Sequence, residues 1–133
     1  MANMSDYLES AMGDHILRVS TFSKPSIIYA ALFTVTPSDD NSGTEVSGGS
    51  YTRIEVPQLN SSWNLSDGVY TNNNDITFPS ATANWGTVVS FGLYDASTGG
   101  NLLIWGDLTT NKAINTGDTN PKFNAGTLTI TFK

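Results

Sequence analysis

No cysteine and only one histidine occur in this chain of 133 residues, and charged side chains make up just 14% of it. The missing cysteines rule out disulfides, thiolate nucleophiles and cysteine-ligated zinc together. The solitary His15 has no second imidazole to complete a zinc site, and no nucleophile near it in sequence for a Ser-His-Asp machine. Basic residues are also scarce. Six Lys and Arg stand against twelve Asp and Glu, for a net charge of -6. Those six are scattered at 18, 24, 53, 112, 122 and 133, which leaves no clustered basic face for phosphate and argues against nucleic acid as a partner. Long apolar runs are missing too: the longest, IIYAALF at 27–33, falls far short of the roughly 20 residues a membrane-spanning helix needs. The N-terminal MANMSDYLESAMGDHILR carries acids where a signal peptide needs basic residues, so neither export by that route nor a membrane partner is expected.

Acids are plentiful but arranged without chemistry. A glycosidase pair must hold two carboxyls about 5–9.5 Å apart, whereas most acids here fall in turn-like or solvent-facing stretches. Asp107, just after Trp105-Gly106, reads equally well as the cross-strand partner of a cation. The run Asp39-Asp40-Asn41-Ser42-Gly43-Thr44-Glu45 alternates oxygen ligands before a glycine but lacks the spacing of a calcium loop. No enzyme, metal or cofactor is therefore expected.

What the chain does have is pattern. Residues 5–18 place Leu8, Met12 and Ile16 at helical spacing, with Val19 next in the series and Asp6 and Glu9 at capping-box spacing near the start, which predicts one N-terminal helix. Its apolar side, with His15 beside Met12, is expected to pack against the body or a partner. From Pro25 onward the period changes from helical to alternating. SIIYAALFTV is apolar on both faces, as in a strand covered on both sides. Residues 36–50 read as a long exposed loop, and YTRIEV at 51–56 as a half-buried strand. Residues 59–75 look turn-rich, with one short strand near Gly68–Thr71. WGTVVSFGLYDASTGGNLLIWGDLT at 85–109 predicts a hairpin with Val89, Phe91 and Leu93 on one face, Val88, Ser90, Gly92 and Tyr94 on the other, and a turn whose Gly99 and Gly100 are able to take positive φ. GTLTITFK predicts an edge strand with Leu128, Ile130 and Phe132 inward. The fold class is mainly β: a small antiparallel β-sandwich or partly closed barrel with one N-terminal helix. Residues 1–24 form a helix and arm, and 25–133 a β domain, within a single domain overall.

Of the three tryptophans, Trp85 and Trp105 each precede a glycine and read as core, while Trp63 lies in a polar stretch and reads as contact surface. The residues expected to meet partners are Tyr7, Leu8, Met12, His15 and Ile16 on the helix, Asp39 and Asp40 in the long loop, Tyr51 and Arg53 after it, and Trp63.

The order of DYLESAMGDHIL, YAALFTVTPSDDNSGTEVSGGSYTRIEV, ATANWGTVVSFGLYDASTGGNLLIWGDLT and KAINTGD resembles a family of small tailed-phage virion proteins often labelled tail-fibre-like. The resemblance runs nearly end to end and implies a structural protein without enzymatic activity, made in the bacterial host cytoplasm. Collagen-like, coiled or β-helical shaft repeats are missing. That absence points to a capsid cement or decoration protein on the outer capsid surface, partnered by the major capsid protein and by itself as a homodimer or homotrimer. The alternative is a tail-associated fibre or adhesin component, with Trp63 and the 72–74 and 39–50 loops on a host glycan.

Overall fold

A computed structural model describes residues 2–132. Its elements in chain order are β1 (Ala2–Met4), α1 (Asp6–Leu17), β2 (Ile28–Val35), β3 (Thr44–Glu45), β4 (Ile54–Val56), β5 (Trp63–Ser66), β6 (Val69–Asn72), β7 (Ile76–Thr77), β8 (Gly86–Tyr94), β9 (Leu102–Ile114), β10 (Lys122–Phe123) and β11 (Thr129–Thr131). All pairings are antiparallel, and the main sheet runs β1-β9-β8-β2-β3, with β4 sharing the β3 edge of β2. A three-stranded sheet, β11-β6-β5, and the pair β10-β7 make up the second layer. No closed barrel forms among the described residues, so the fold is a small β-sandwich with one helix.

The doubly apolar strand is covered on both faces, as its sequence requires. Ala30 and Leu32 join Phe91, Leu93, Phe78, Ile130 and Trp85 in the core between the layers. Ala31 and Phe33 point the other way, into a smaller cluster with Tyr94 and Leu102, against which Trp105 packs. The cover over that outer face is the 36–43 loop, not the helix: Pro37 is fully buried and Asn41 accepts from the Tyr94 hydroxyl at 2.6 Å.

Four expectations change. Register is irregular between Val88 and Ser90, which face Lys112 and Asp107, and strict alternation breaks there, so that Val88, not Val89, joins Phe91 and Leu93 in the core. The stretch 51–56 is strand only at Ile54–Val56. The turn-rich stretch contains a full hairpin, β5-β6, closed by Asp67-Gly68 at φ 55° and 80°, the positive pair a two-residue hairpin demands. Leu128 and Ile130 are buried as expected, whereas Phe132 is 47% exposed at the end of the edge strand.

Ser90 lies fully buried in β8 with no hydrogen-bond partner for its hydroxyl among the described residues. An unmet buried hydroxyl carries its desolvation cost uncompensated. Ser90→Ala should raise stability by about 1 kcal/mol, seen as a higher urea midpoint at unchanged slope. A lower midpoint would mean that the hydroxyl has a partner in solution.

Candidate interaction surfaces

Three local arrangements compete for the role of contact surface: the N-terminal helix, the loops around Arg53, and a groove beside Trp63.

The helix is tied down at one end. Ser5, not Asp6, caps it: its hydroxyl accepts from the Leu8 N–H at 3.2 Å and donates to the Leu102 carbonyl, while its own N–H donates to the Leu103 carbonyl at 2.9 Å. Strand β1 pairs with Trp105 and its neighbours, and the Asp6 N–H donates to the Asp39 carbonyl at 2.9 Å. Asp6 and Glu9 remain in the first turn, where the helix dipole favours their charge. Beyond Leu8, the one buried residue of the helix, contact with the body fades. Met12 is half-buried, Tyr7 and His15 are exposed, and Ile16, Leu17 and Val19 are 71%, 83% and 101% exposed. The Phe22 N–H donates to His15 Nδ1 at 3.1 Å, turning the following chain back beside the helix. Because β1 belongs to the main sheet, deleting residues 1–18 would strip a sheet edge as well as the helix.

Tyr51 and Arg53 point inward. Strands β3 and β4 flank opposite ends of one edge of β2, and the gap between them falls at Leu32. The Tyr51 hydroxyl fills that gap, accepting from the Leu32 N–H at 3.0 Å and donating to Glu45 Oε1 at 2.9 Å. Arg53 grips the same carboxylate with two donors, Nε to Oε1 at 2.9 Å and Nη2 to Oε2 at 2.8 Å. Its Nη1 donates to the carbonyls of Ala96 and Gly99 at 2.9 and 2.7 Å, and the guanidinium lies 3.6 Å from the centre of the Tyr94 ring. Burial opposes the charge on Arg53, but the Glu45 carboxylate outweighs it and holds the pKa above its usual value. Burial pushes both Tyr51 and Tyr94 hydroxyls upward. The network therefore keeps one internal ion pair and two neutral phenols, and locks the β8-β9 turn to the 44–46 segment. Gly99 and Gly100 in that turn take φ 59° and 72°.

The two loop aspartates are exposed and brace the loop itself. Asp39 Oδ1 accepts from the Trp105 indole at 2.8 Å, and Asp40 Oδ1 from the Ser42 N–H at 3.1 Å. Asp107 accepts from the Thr36 hydroxyl at 3.0 Å rather than from a cation. Among the described residues no group of three or more His, Cys, Asp or Glu could hold a metal ion, and no helix is long and apolar enough to cross a membrane.

Trp63 lies on a groove lined by residues of both layers. About 840 Å³ of open space is bounded by Ile28, Leu93 and Ile104 of the main sheet and by Trp63, Tyr70 and Phe132 of the small one. The Trp63 indole is held by the Pro57 carbonyl at 3.2 Å, and Tyr70 meets Phe132 edge-on at 5.9 Å between ring centres. Leu59 and Leu65, on the same groove, are 65% and 56% exposed. Asn73 lines it, but no residue of 39–50 does, and Asn72 is buried with its amide spent on the Asn74 and Asn124 carbonyls and the Leu128 N–H. The structure thus joins Trp63 to Asn73 and separates both from the 39–50 loop.

Across residues 3–131, nearly the whole of this scaffold, the chain matches the family described as Podophage GP4 fiber I protein gp80. The chain belongs to this family of phage fibre proteins. No curated protein matches it. It is thus a phage virion structural protein of fibre-like kind, from a family that is generally non-enzymatic. The surfaces of this fibre-family chain were only partly legible in its sequence: Trp63 was singled out, but Leu59, Leu65, Tyr70 and Phe132 were not. The overlooked signal was Asp67-Gly68, which sets Leu65 opposite Tyr70 across the β5-β6 hairpin and so builds one side of the groove.

Proposed function

We propose that this protein is a component of the tail fibre and contributes to contact with the host surface. The observation that carries this is the match to a fibre protein family over residues 3–131. The missing shaft repeats, which in the sequence favoured a capsid cement, mean only that this chain is not itself a shaft. Loops pinned by an internal ion pair and hydrogen bonds, and a helix that presents apolar side chains outward, support this reading.

Particles assembled without the protein should have DNA-filled heads of normal resistance to heat and osmotic shock, yet adsorb poorly to host cells. Gold-labelled antibody against the chain should decorate the tail of complete particles. Label spread over the head, with shock-sensitive particles that still adsorb, would place the protein on the capsid as a cement bound to the major capsid protein.

A further inference from the structure

We propose that a cleft lined by the bulged middle of β9, by β10 and by residues 127–129 binds an anionic sugar, a hydroxylated ring carrying a carboxylate or a phosphate. The inference deepens the fibre reading, and rests on it for the origin of the sugar at the host surface.

Strand β9 makes room for the cleft. Val88 pairs with Lys112 and Ser90 with Asp107, so two residue steps along β8 are matched by five along β9, an excess of three. Bulges re-aim side chains and gather next to binding sites. Three residues of this one, Leu108, Thr109 and Thr110, line a recess of about 350 Å³ that residues 121–123 and 127–129 line as well. That volume lies at the small end of ligand sites, about 300–1,000 Å³, and suits a monosaccharide better than a polymer chain.

The lining is of two kinds. Phe78, Val88, Phe91 and Leu128 belong to the core and are buried, and half-buried Phe123 meets Phe78 and Phe91 edge-on at 6.4 and 6.0 Å between ring centres. Thr109, Thr110, Thr129, Lys112 and Lys122 are exposed. Apolar walls with a few polar groups are the usual make-up of a small-ligand site. The apolar part takes the C–H face of a ring, the threonines its hydroxyls and the lysines its acid group.

Charge selects an anion. Of the six Lys and Arg in a chain of net charge -6, two line this one cleft. Arg18 and Arg53 are paired with Asp14 and Glu45, and Lys122 Nζ donates to Asp75 Oδ2 at 2.7 Å, whereas Lys112 makes no ion pair among the described residues. Asp107, the one acid of the lining among the described residues, accepts from the Thr36 hydroxyl. The protein's excess of acid repels anions at large, so a charged sugar is favoured where two lysines gather. An inorganic anion would use the lysines and leave the threonines and the apolar walls idle.

Backbone amide spectra of the full chain, titrated with glucuronate and with glucose 6-phosphate, should shift at residues 108–112 and 122–129. At least one of the two should bind roughly tenfold more tightly than glucose, as one charge-assisted hydrogen bond allows. Which of them binds better tells carboxylate from phosphate. Lys112→Gln should bring that affinity down to the level of glucose with the rest of the spectrum unchanged, and Lys24→Gln, outside the cleft, should leave it as it was. The proposal is overturned if both acids bind no more tightly than glucose, if the shifts fall outside the cleft, if Lys112→Gln keeps full affinity, or if inorganic phosphate binds as tightly as the better sugar. Any of these leaves the fibre role standing, whereas sugar binding by a chain whose loss spares adsorption would keep the cleft and overturn the fibre role.

Discussion

Replacing Arg53 with Leu should destabilise the protein by about 3 kcal/mol, the lower end of what removing one partner of a buried ion pair costs. The lower end applies because the Glu45 side chain keeps 24% of its exposure while that of Arg53 keeps 7%. The loss has two parts. Glu45 is left as a half-buried carboxylate with only the Tyr51 hydroxyl to satisfy it, and the carbonyls of Ala96 and Gly99 lose their donor. For a domain of this size the melting temperature should fall by roughly 10 °C. Arg53→Lys should recover only part of it, since an ammonium cannot grip a carboxylate with two parallel donors, reach two carbonyls and stack on Tyr94 together. A melting temperature for the Leu variant within about 2 °C of the parent would show that the network contributes little net energy.

Gly43→Ala should be as damaging, by about 3 kcal/mol, through sterics alone. A Cβ at Gly43 would lie 2.3 Å from the Val35 carbonyl oxygen and 2.5 and 2.6 Å from the Cα and N of Pro37. All three neighbours are backbone, so no rotamer change can relieve the clash. The 36–43 loop would have to lift, exposing buried Pro37, breaking the Asn41 bond to Tyr94 and uncovering Phe33. Trp105 should report this by a red-shifted emission, because its indole is held by Asp39 of the same loop. Gly48→Ala is the control: φ there is +74° but a Cβ meets nothing within 4 Å, so only the backbone cost of about 1 kcal/mol applies. If the two variants melt together, the loop has slack that the structure does not show.

Much of this fold was legible from short-range pattern. A run apolar on both faces marked β2, alternation marked the β8-β9 hairpin and the last strand, and helical spacing marked α1, because burying one face constrains every second or every third to fourth residue. The motif order carried the phage virion resemblance, and the absence of cysteine with the scarcity of histidine and of basic residues argued against thiol chemistry, zinc and nucleic acid. The helix cap was not legible in this way: Ser5 and Asp6 are N-caps of equal quality, and it is the bond of the Ser5 hydroxyl to the Leu102 carbonyl that fixes Ser5 in the role.

Long-range pairing decided the rest. Val88 replaced Val89 in the core because one irregularity of register breaks an alternating pattern, and no local residue announces it. Arg53 appeared to be a surface cation until the chain brought Glu45, Ala96 and Gly99 to it from separate loops. Helical spacing sets Leu8 and Ile16 on one side of α1 and does not separate them, yet the anchors of α1 lie only at its first turn, so Leu8 is buried and Ile16 is left in solvent. The groove is drawn from distant segments, with Ile28, Trp63, Tyr70, Leu93 and Phe132 all lining it. Sequence alone determined which residues were apolar and in what rhythm; tertiary structure determined which of them found a partner within the chain, since burial depends on what lies opposite a side chain and not on the side chain itself.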